Sequence, residues 1–178
     1  LQAEANINTL NASDFSKDGV QTLFDLVKRS VYQPPRSTDI LLQEFITRGP
    51  NDADIATVYE SVALHRWDQS SATQGQPYQI LYLDPTIETV STAAIVRRDV
   101  NGGEVKAARA FIDFLMEPDQ QAVFVQHGFR PMNANVDINS VPNSPWSKNI
   151  PGATTDPAGQ VSAPPDRSVV EEVIRQWQ

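Results

Sequence analysis

Residues 114–131 read FLMEPDQQAVFVQHGFRP and carry the strongest structural signal in the chain. The apolar spacing that leads into this stretch predicts a helix over 101–117. Pro118 suits the first position of a second, short helix, because the N–H that proline lacks would have no helical partner there. Gly128 suits the left-handed position after the last turn, and Phe129 is placed to pack back on that turn. We therefore predict two short helices that meet at a proline corner and end at a glycine stop.

Upstream of this stretch, helical and strand-like patterns alternate. Apolar positions at helical spacing predict helices over 16–31 and 36–50, and Ser37 or Thr38 can cap the second. Short β-branched or apolar runs predict buried strands over 53–61, 78–84 and 89–96, with a polar loop over 68–77. This alternation indicates an α/β fold in which a mixed or mostly parallel sheet is flanked by helices.

Downstream, residues 133–165 are rich in Asn, Ser, Pro and Gly and have little periodicity. So long a segment without a regular pattern predicts a surface excursion. Helical spacing then returns over 166–178, with Asp166 as the expected cap. The apolar face of this last helix comprises Val169, Val170, Val173, Ile174 and Trp177.

The composition limits the classes of partner. The net charge of −8 argues against nucleic acid or an anionic membrane as the main partner, because both demand a basic surface. The chain has no cysteine, which excludes disulfides, thiolate catalysis and cysteine metal sites. No apolar run reaches transmembrane length, and no signal peptide is visible. The first residues are those expected of a chain entered partway.

The sequence carries none of the standard catalytic motifs, so we expect neither an enzyme nor a bound cofactor. We interpret His65 as a surface or interface residue, and His127 as a residue favoured by the helix end that precedes Gly128. Asp52, Asp54 and Glu60 could suggest a metal site. We interpret them instead as turn and cap carboxylates near the two ends of a predicted strand, and we expect no metal.

Two groups of polar residues are candidates for ligand binding. Arg36, Ser37 and Thr38 lie where a helix begins, so a cation, two hydroxyls and backbone N–H groups can converge there on an anion or a polar oxygen. The alternative is a plain helix cap. Tyr59 and Ser61 close the strand predicted over 53–61, and ligands of open α/β sheets bind beyond the carboxyl ends of strands. The alternative is that Tyr59 packs against the next helix.

Several segments resemble one family of proteins. The longest, AARAFIDFLMEPDQQAVFVQHGFRP, is similar to the C-terminal segment of type II extracellular solute-binding proteins, in which a proline corner is followed by a Gly-Phe-Arg-Pro stop. ADIATVYES resembles a strand of the sulfate-, molybdate- and phosphate-binding members. STDILLQEF resembles the helix before that strand, and TAAIVRRD the strand before the closing helix. The similar segments occur in the order of the family and span roughly 15–131.

The resemblance implies a periplasmic-binding-protein type II-like fold of two lobes, of which this chain supplies the second lobe and an incomplete first lobe. The chain then divides into a leading segment (1–14), a second-lobe-like α/β region (15–98) and return helices toward the first lobe (99–132). The Pro/Asn/Ser-rich excursion (133–165) and the C-terminal helix (166–178) are additions to the usual pattern of the family.

The resemblance also implies a function. Members bind a small polar or anionic solute between the lobes, close by hinge motion and deliver the solute to an ABC permease, without catalysis. The matching contact positions are Ser37, Thr38 and Tyr59, with Ser61 and Arg36 beside them. An exported bacterial protein, periplasmic or at the cell surface, is expected. The alternative is a sensory or protein-interaction module of a larger surface protein, such as one linked to a von Willebrand type A domain.

Overall fold

The computed structural model describes residues 10–31, 35–73, 75 and 77–178, except for the side chain of Thr73. Residues 1–9 of the predicted leading segment lie outside the described residues. The chain forms two compact units, one from residues 1–34 and 161–178 and the other from residues 35–160.

Helices dominate the described residues, and each strand is only 2 residues long. In chain order the elements are a 3-10 helix (Ala12–Ser16), α1 (Asp18–Ser30), α2 (Thr38–Arg48), α3 (Glu60–Thr73), β1 (Thr86–Ile87), α4 (Gly102–Leu115), α5 (Pro118–Gln126), a second 3-10 helix (Pro145–Lys148), β2 (Val161–Ser162) and α6 (Arg167–Trp177).

The first unit is a small helical cluster built on aromatic contacts. The Phe15 and Phe24 rings meet edge to face with centroids 5.8 Å apart, and Phe24 meets Trp177 in the same way at 5.9 Å. Of the apolar face predicted for the last helix, Val169 is buried and Val173 packs beside it, whereas Val170 and Ile174 are 42% and 53% exposed, so that prediction is right only in part. Asp166 occupies the cap position, but its side chain makes no capping hydrogen bond, so the predicted cap is wrong in this respect.

The second unit encloses the larger core. Helices α2 and α3 pack together there, and their apolar residues meet side chains from later segments. The buried members of this core are Leu42, Ile46, Ala63, Leu64, Ile80 and Ile150. Ile150 lies within the segment predicted to be a surface excursion. That interpretation is wrong for residues 141–150, because Val141, Ser144, Pro145 and Ile150 are buried.

The strand predicted over 53–61 is absent. Residues 55–59 are irregular, and Ile55 is 78% exposed. Helix α3 begins at Glu60, and the carbonyl of Tyr59 accepts hydrogen bonds from the N–H groups of Val62 and Ala63. The helix also continues to Thr73, through part of the predicted polar loop. A β-branched segment becomes a strand only where another strand pairs with it. Here the last residues of the segment, from Glu60, belong to α3 instead.

The strands predicted over 78–84 and 89–96 are also absent. Residues 78–84 keep a strand-like alternation of burial, since Ile80 is buried while Leu81 and Leu83 are 73% and 66% exposed. The N–H of Ile80 donates to the carbonyl of Pro151 at 2.9 Å. One such hydrogen bond beside an irregular segment does not form a sheet. The predicted alternation of buried and exposed residues is therefore right for 78–84, but the predicted strand is wrong.

The proline corner and glycine stop are confirmed. Pro118 is the first residue of α5, and Gly128 has a φ of 83° after the last turn. The Phe129 N–H donates to the Phe124 carbonyl at 3.0 Å, and the Gly128 N–H donates to the Val125 carbonyl at 2.9 Å. These two bonds make a Schellman motif, and the Phe124 and Phe129 rings meet with centroids 6.3 Å apart.

Helix α4 is well capped, but none of its residues is buried. The Asn101 side chain accepts from the N–H groups of Gly103 and Glu104, while Glu104 accepts from the Asn101 N–H, which completes a capping box. Phe111 and Phe114 on this helix are 59% and 42% exposed. The helix and its apolar spacing were predicted correctly, but Val105, Ala108, Ile112 and Leu115 on its apolar face are only partly buried.

The exposed face of α4 leads to a stability prediction. We expect Phe111→Ser to change the free energy of unfolding by no more than about 0.5 kcal/mol, because the ring is mostly in water already. Binding of a hydrophobic dye should fall at the same time. Leu64→Ala is the contrast in the same unit, since Leu64 is 1% exposed and its truncation should cost about 2–5 kcal/mol. Urea unfolding of both variants tests this, and similar losses would contradict it.

Candidate functional site

The start of α2 is formed as the sequence predicted. Ser37 is the capping residue, and its Oγ accepts a hydrogen bond from the Asp39 N–H at 3.2 Å. The Ser37 carbonyl accepts from the Leu41 N–H at 3.0 Å. Ser37 and Thr38 are half-buried, whereas Arg36 is exposed. The positive end of the helix dipole therefore lies beside two hydroxyls that are accessible in part.

An ion pair joins the first turn of α2 to α3. Arg66 Nε donates to Asp39 Oδ1 at 2.5 Å, and a terminal nitrogen of Arg66 donates to Asp39 Oδ2 at 2.6 Å. Hydrogen bonding from Arg66 lowers the pKa of the Asp39 carboxyl, and the charges of Arg66 and His65 lower it further. The two-pronged geometry orients the carboxylate and positions the start of α2 against α3.

A shallow, open groove of about 270 Å³ runs beside this ion pair. It lies among the first turn of α2, the first half of α3 and the end of α5. Its lining residues are Asp39, Ser61, Val62, His65, His127 and Phe129. The groove combines a carboxylate, a hydroxyl and two imidazoles with the apolar surface of Val62 and Phe129, so it can offer both polar and apolar contacts to a small ligand.

Gly128 allows α5 to end close against α3. A Cβ atom at this position would lie 3.0 Å from Ser61 Cα and 3.3 Å from Leu64 Cβ. The rings of His65 and His127 are neighbours here, with centroids 6.5 Å apart and planes tilted by 39°. The glycine stop therefore permits this close approach and also ends the helix.

A polar network holds the first residue of α3. Two nitrogens of Arg130 donate to the two carboxylate oxygens of Glu60, both at 2.8 Å. Arg130 also donates to the carbonyls of Thr154 and Thr155, at 2.8 Å and 2.6 Å. Tyr82 Oη donates to Glu60 Oε1 at 2.6 Å. The arginine of the Gly-Phe-Arg-Pro segment therefore anchors α3 to the residues that follow the second 3-10 helix.

The ionisation of this network follows from its surroundings. Burial opposes the charge on Arg130, but the hydrogen bonds and charge of Glu60 outweigh burial and raise the pKa of Arg130. Burial, together with the hydrogen bond to Glu60, raises the pKa of Tyr82. The Arg130 guanidinium also lies 5.6 Å from the ring centroid of Trp146. Glu60 was interpreted as a turn or cap carboxylate, and its partner Arg130 shows that it instead anchors distant segments.

A second open groove, of about 480 Å³, lies beyond Arg130. It is lined by Glu88, Arg130, Pro131, Val136, Asp137, Ile138, Asn139 and Thr155. Two of its three charged side chains, Arg130 and Asp137, already have partners. Arg130 is bound to Glu60, and Asp137 accepts hydrogen bonds from the Ser140 hydroxyl and the Asn139 N–H.

The five residues predicted to bind a ligand are divided between the first groove and its surroundings. Ser61 lines the groove, and Ser37 and Thr38 lie next to its Asp39. Tyr59 is 55% exposed, and neither Tyr59 nor Arg36 lines the groove. Sequence reasoning did not associate His65 with His127. The chain contains only these 2 histidines, and the glycine after His127 was the available signal that its helix end could approach another element closely.

Within the described ranges, no cluster of three or more His, Asp and Glu side chains is placed to hold a metal ion. In the same part of the chain, no helix has both the length and the apolar character needed to cross a membrane.

The helix-dominated structure with short strands fits a periplasmic-binding-like α/β fold. Residues 5–130 match the family described as bacterial extracellular solute-binding protein, and the chain belongs to this family. The match ends at Arg130, so it includes the whole lining of the first groove. No curated protein and no solved structure matches the chain.

Proposed function

We propose that this chain is a non-catalytic solute-binding component, or part of one, of an ABC-type transport system. Membership of the solute-binding family supports a role in binding and transport, and proteins of this family are in general not enzymes. The finer assignment, to a type II protein of the sulfate-, molybdate- and phosphate-binding group, is part of the proposal. An ABC permease is the proposed partner, and the proposed location is the periplasm or the cell surface of a bacterium.

The proposed solute is small and either polar or anionic, and it binds where the first groove meets the start of α2. The observation that carries this proposal is the position of Ser61 in the groove that Asp39 of α2 also lines. The Ser37 and Thr38 hydroxyls and the positive end of the α2 dipole add donors for a solute oxygen. Arg36 and Tyr59 are proposed as further contacts that approach when an interlobe cleft closes around the solute.

A thermal-shift screen against oxyanions, sugars and amino acids tests the proposal. A solute at 100 times its Kd should stabilise the protein by about 2.7 kcal/mol, which raises the unfolding midpoint by several degrees. Titration calorimetry should then show weaker binding to Ser37→Ala, Ser61→Ala and Tyr59→Phe. The matched control is Ser71→Ala, because the exposed Ser71 hydroxyl donates only within α3, to the Asp68 carbonyl. A flat screen, or equal affinities for all four variants and the parent, would contradict the proposal.

A further inference from the structure

Both histidines of the chain line the same groove, although they belong to different helical segments. His65 is in α3, and His127 follows the last residue of α5. Both residues are exposed, and their ring centroids are 6.5 Å apart. Among the described residues, no group forms a hydrogen bond with either ring. The two imidazoles therefore have nitrogen lone pairs that the fold itself does not use.

The separation of the rings is close to what a shared metal ion requires. A first-row divalent ion binds imidazole nitrogen at about 2.0–2.1 Å, which places the ion roughly 3.2 Å from the ring centroid. Two imidazoles on one ion then have centroids roughly 5 Å apart in tetrahedral geometry and about 6.4 Å apart when trans. The observed 6.5 Å must shorten by about 1.5 Å to reach the first of these distances. Rotation of two exposed side chains supplies such a change without backbone movement.

The lining of the groove carries little net charge apart from the two imidazoles, because the Asp39 carboxylate and the Arg66 guanidinium compensate each other. Asp39 lines the groove together with the two histidines. Both Asp39 oxygens accept hydrogen bonds from Arg66, yet each keeps a lone pair for a water molecule bound to an ion. The groups that face the rings from the adjoining elements also include the Ser61 hydroxyl on α3. Arg66 is held in the ion pair with Asp39, so its charge is largely compensated.

We propose that His65 and His127 together bind one divalent transition-metal ion such as Zn²⁺, Ni²⁺ or Cu²⁺, with water molecules in the remaining coordination positions. Imidazole ligands suit these ions, whereas Mg²⁺ and Ca²⁺ prefer oxygen. Because the described residues offer no third ligand, the ion keeps positions that a solute oxygen can occupy. The role of these open positions in solute binding rests on the proposed function. The metal ion extends that function, because its positive charge would attract an anionic solute to the groove.

Nuclear magnetic resonance of the imidazole rings provides the test, because a chain with 2 histidines gives two ring signals. The protein is prepared without a polyhistidine tag and titrated with Zn²⁺ alone, because a paramagnetic ion on one ring would also broaden the signals of the other ring at 6.5 Å. We expect the signals of both rings to shift together at less than one equivalent of metal. In His65→Ala and in His127→Ala, the remaining ring should need at least about tenfold more metal, because the chelate is lost. Thermal unfolding of both variants confirms that the exposed replacements leave the fold intact.

The outcomes separate the metal site from the proposed function. Two rings whose signals shift independently, or single variants that keep the parent's metal affinity, would overturn the metal site. Calorimetry with the anionic solute found in the screen, with and without Zn²⁺, then tests whether the bound ion contributes to solute binding. Metal binding without any solute binding would support the site and contradict the proposed function. Solute binding with no metal binding by the histidines would support the proposed function and contradict the metal site.

Discussion

Gly152→Ala is expected to destabilise the second unit by about 2–4 kcal/mol, through left-handed strain and the loss of a backbone hydrogen bond. Gly152 has a φ of 82°, and a Cβ atom built there would lie 1.9 Å from the carbonyl oxygen of Ile80. That oxygen belongs to the backbone, so no side-chain rotation relieves the overlap. The chain must separate at this point, which disturbs the bond from the Ile80 N–H to the Pro151 carbonyl. Urea unfolding measures the loss.

Gly102→Ala is the matched control for this substitution. Gly102 is the first residue of α4, and a Cβ atom there would meet nothing within 4 Å. Alanine at this position should leave stability unchanged or raise it by about 0.4–1 kcal/mol, because it reduces the freedom of the unfolded chain. Equal midpoints for the two variants would show that Ile80 and Gly152 are not packed as the structure has them.

Arg130→Ala is expected to cost about 2–3 kcal/mol, somewhat less than a fully buried ion pair because some solvent reaches both side chains. The Arg130 and Glu60 side chains are 30% and 22% exposed. Removing the guanidinium leaves the Glu60 carboxylate uncompensated and leaves the carbonyls of Thr154 and Thr155 without their donor. Urea unfolding at neutral pH measures the change.

Two companion variants identify the cause. Arg98→Ala removes an arginine whose side chain is 91% exposed, and it should change the unfolding free energy by less than about 0.5 kcal/mol. Adding Glu60→Gln to Arg130→Ala should recover part of the loss, because a neutral amide is less costly to leave without the cation. If Arg130→Ala were no more harmful than Arg98→Ala, the proposed anchoring of α3 would be wrong.

The elements predicted correctly are those whose ends depend on neighbouring residues. The limits of α5 follow from Pro118 and Gly128, and the start of α2 follows from the Ser37 hydroxyl. Each of these signals acts within one turn of the chain, so a single sequence is enough to find it. The same locality explains why the capping box at Asn101 is formed even though α4 contributes nothing to a core.

The predictions that failed depend on partners far along the chain. Residues 53–61 have the composition of a strand, but no strand pairs with them and Tyr59 becomes the residue before a helix. Ile150 is one of four buried residues in a Pro- and Asn-rich segment whose average polarity conceals them. The groove was not foreseen for the same reason, since His65 and His127 become neighbours only where α3 and the end of α5 approach each other.

The close approach at Gly128 means that a substitution there would change the distance between α3 and the end of α5. A methyl group at this position would push against the Ser61 backbone and act as a wedge between the two segments. The imidazoles on either side would then move apart, and an ion that needs both would be held less tightly. The affinity for nickel would therefore depend on the distance between the two rings. A measurement of that affinity would report, without an added label, how closely the end of α5 packs against α3.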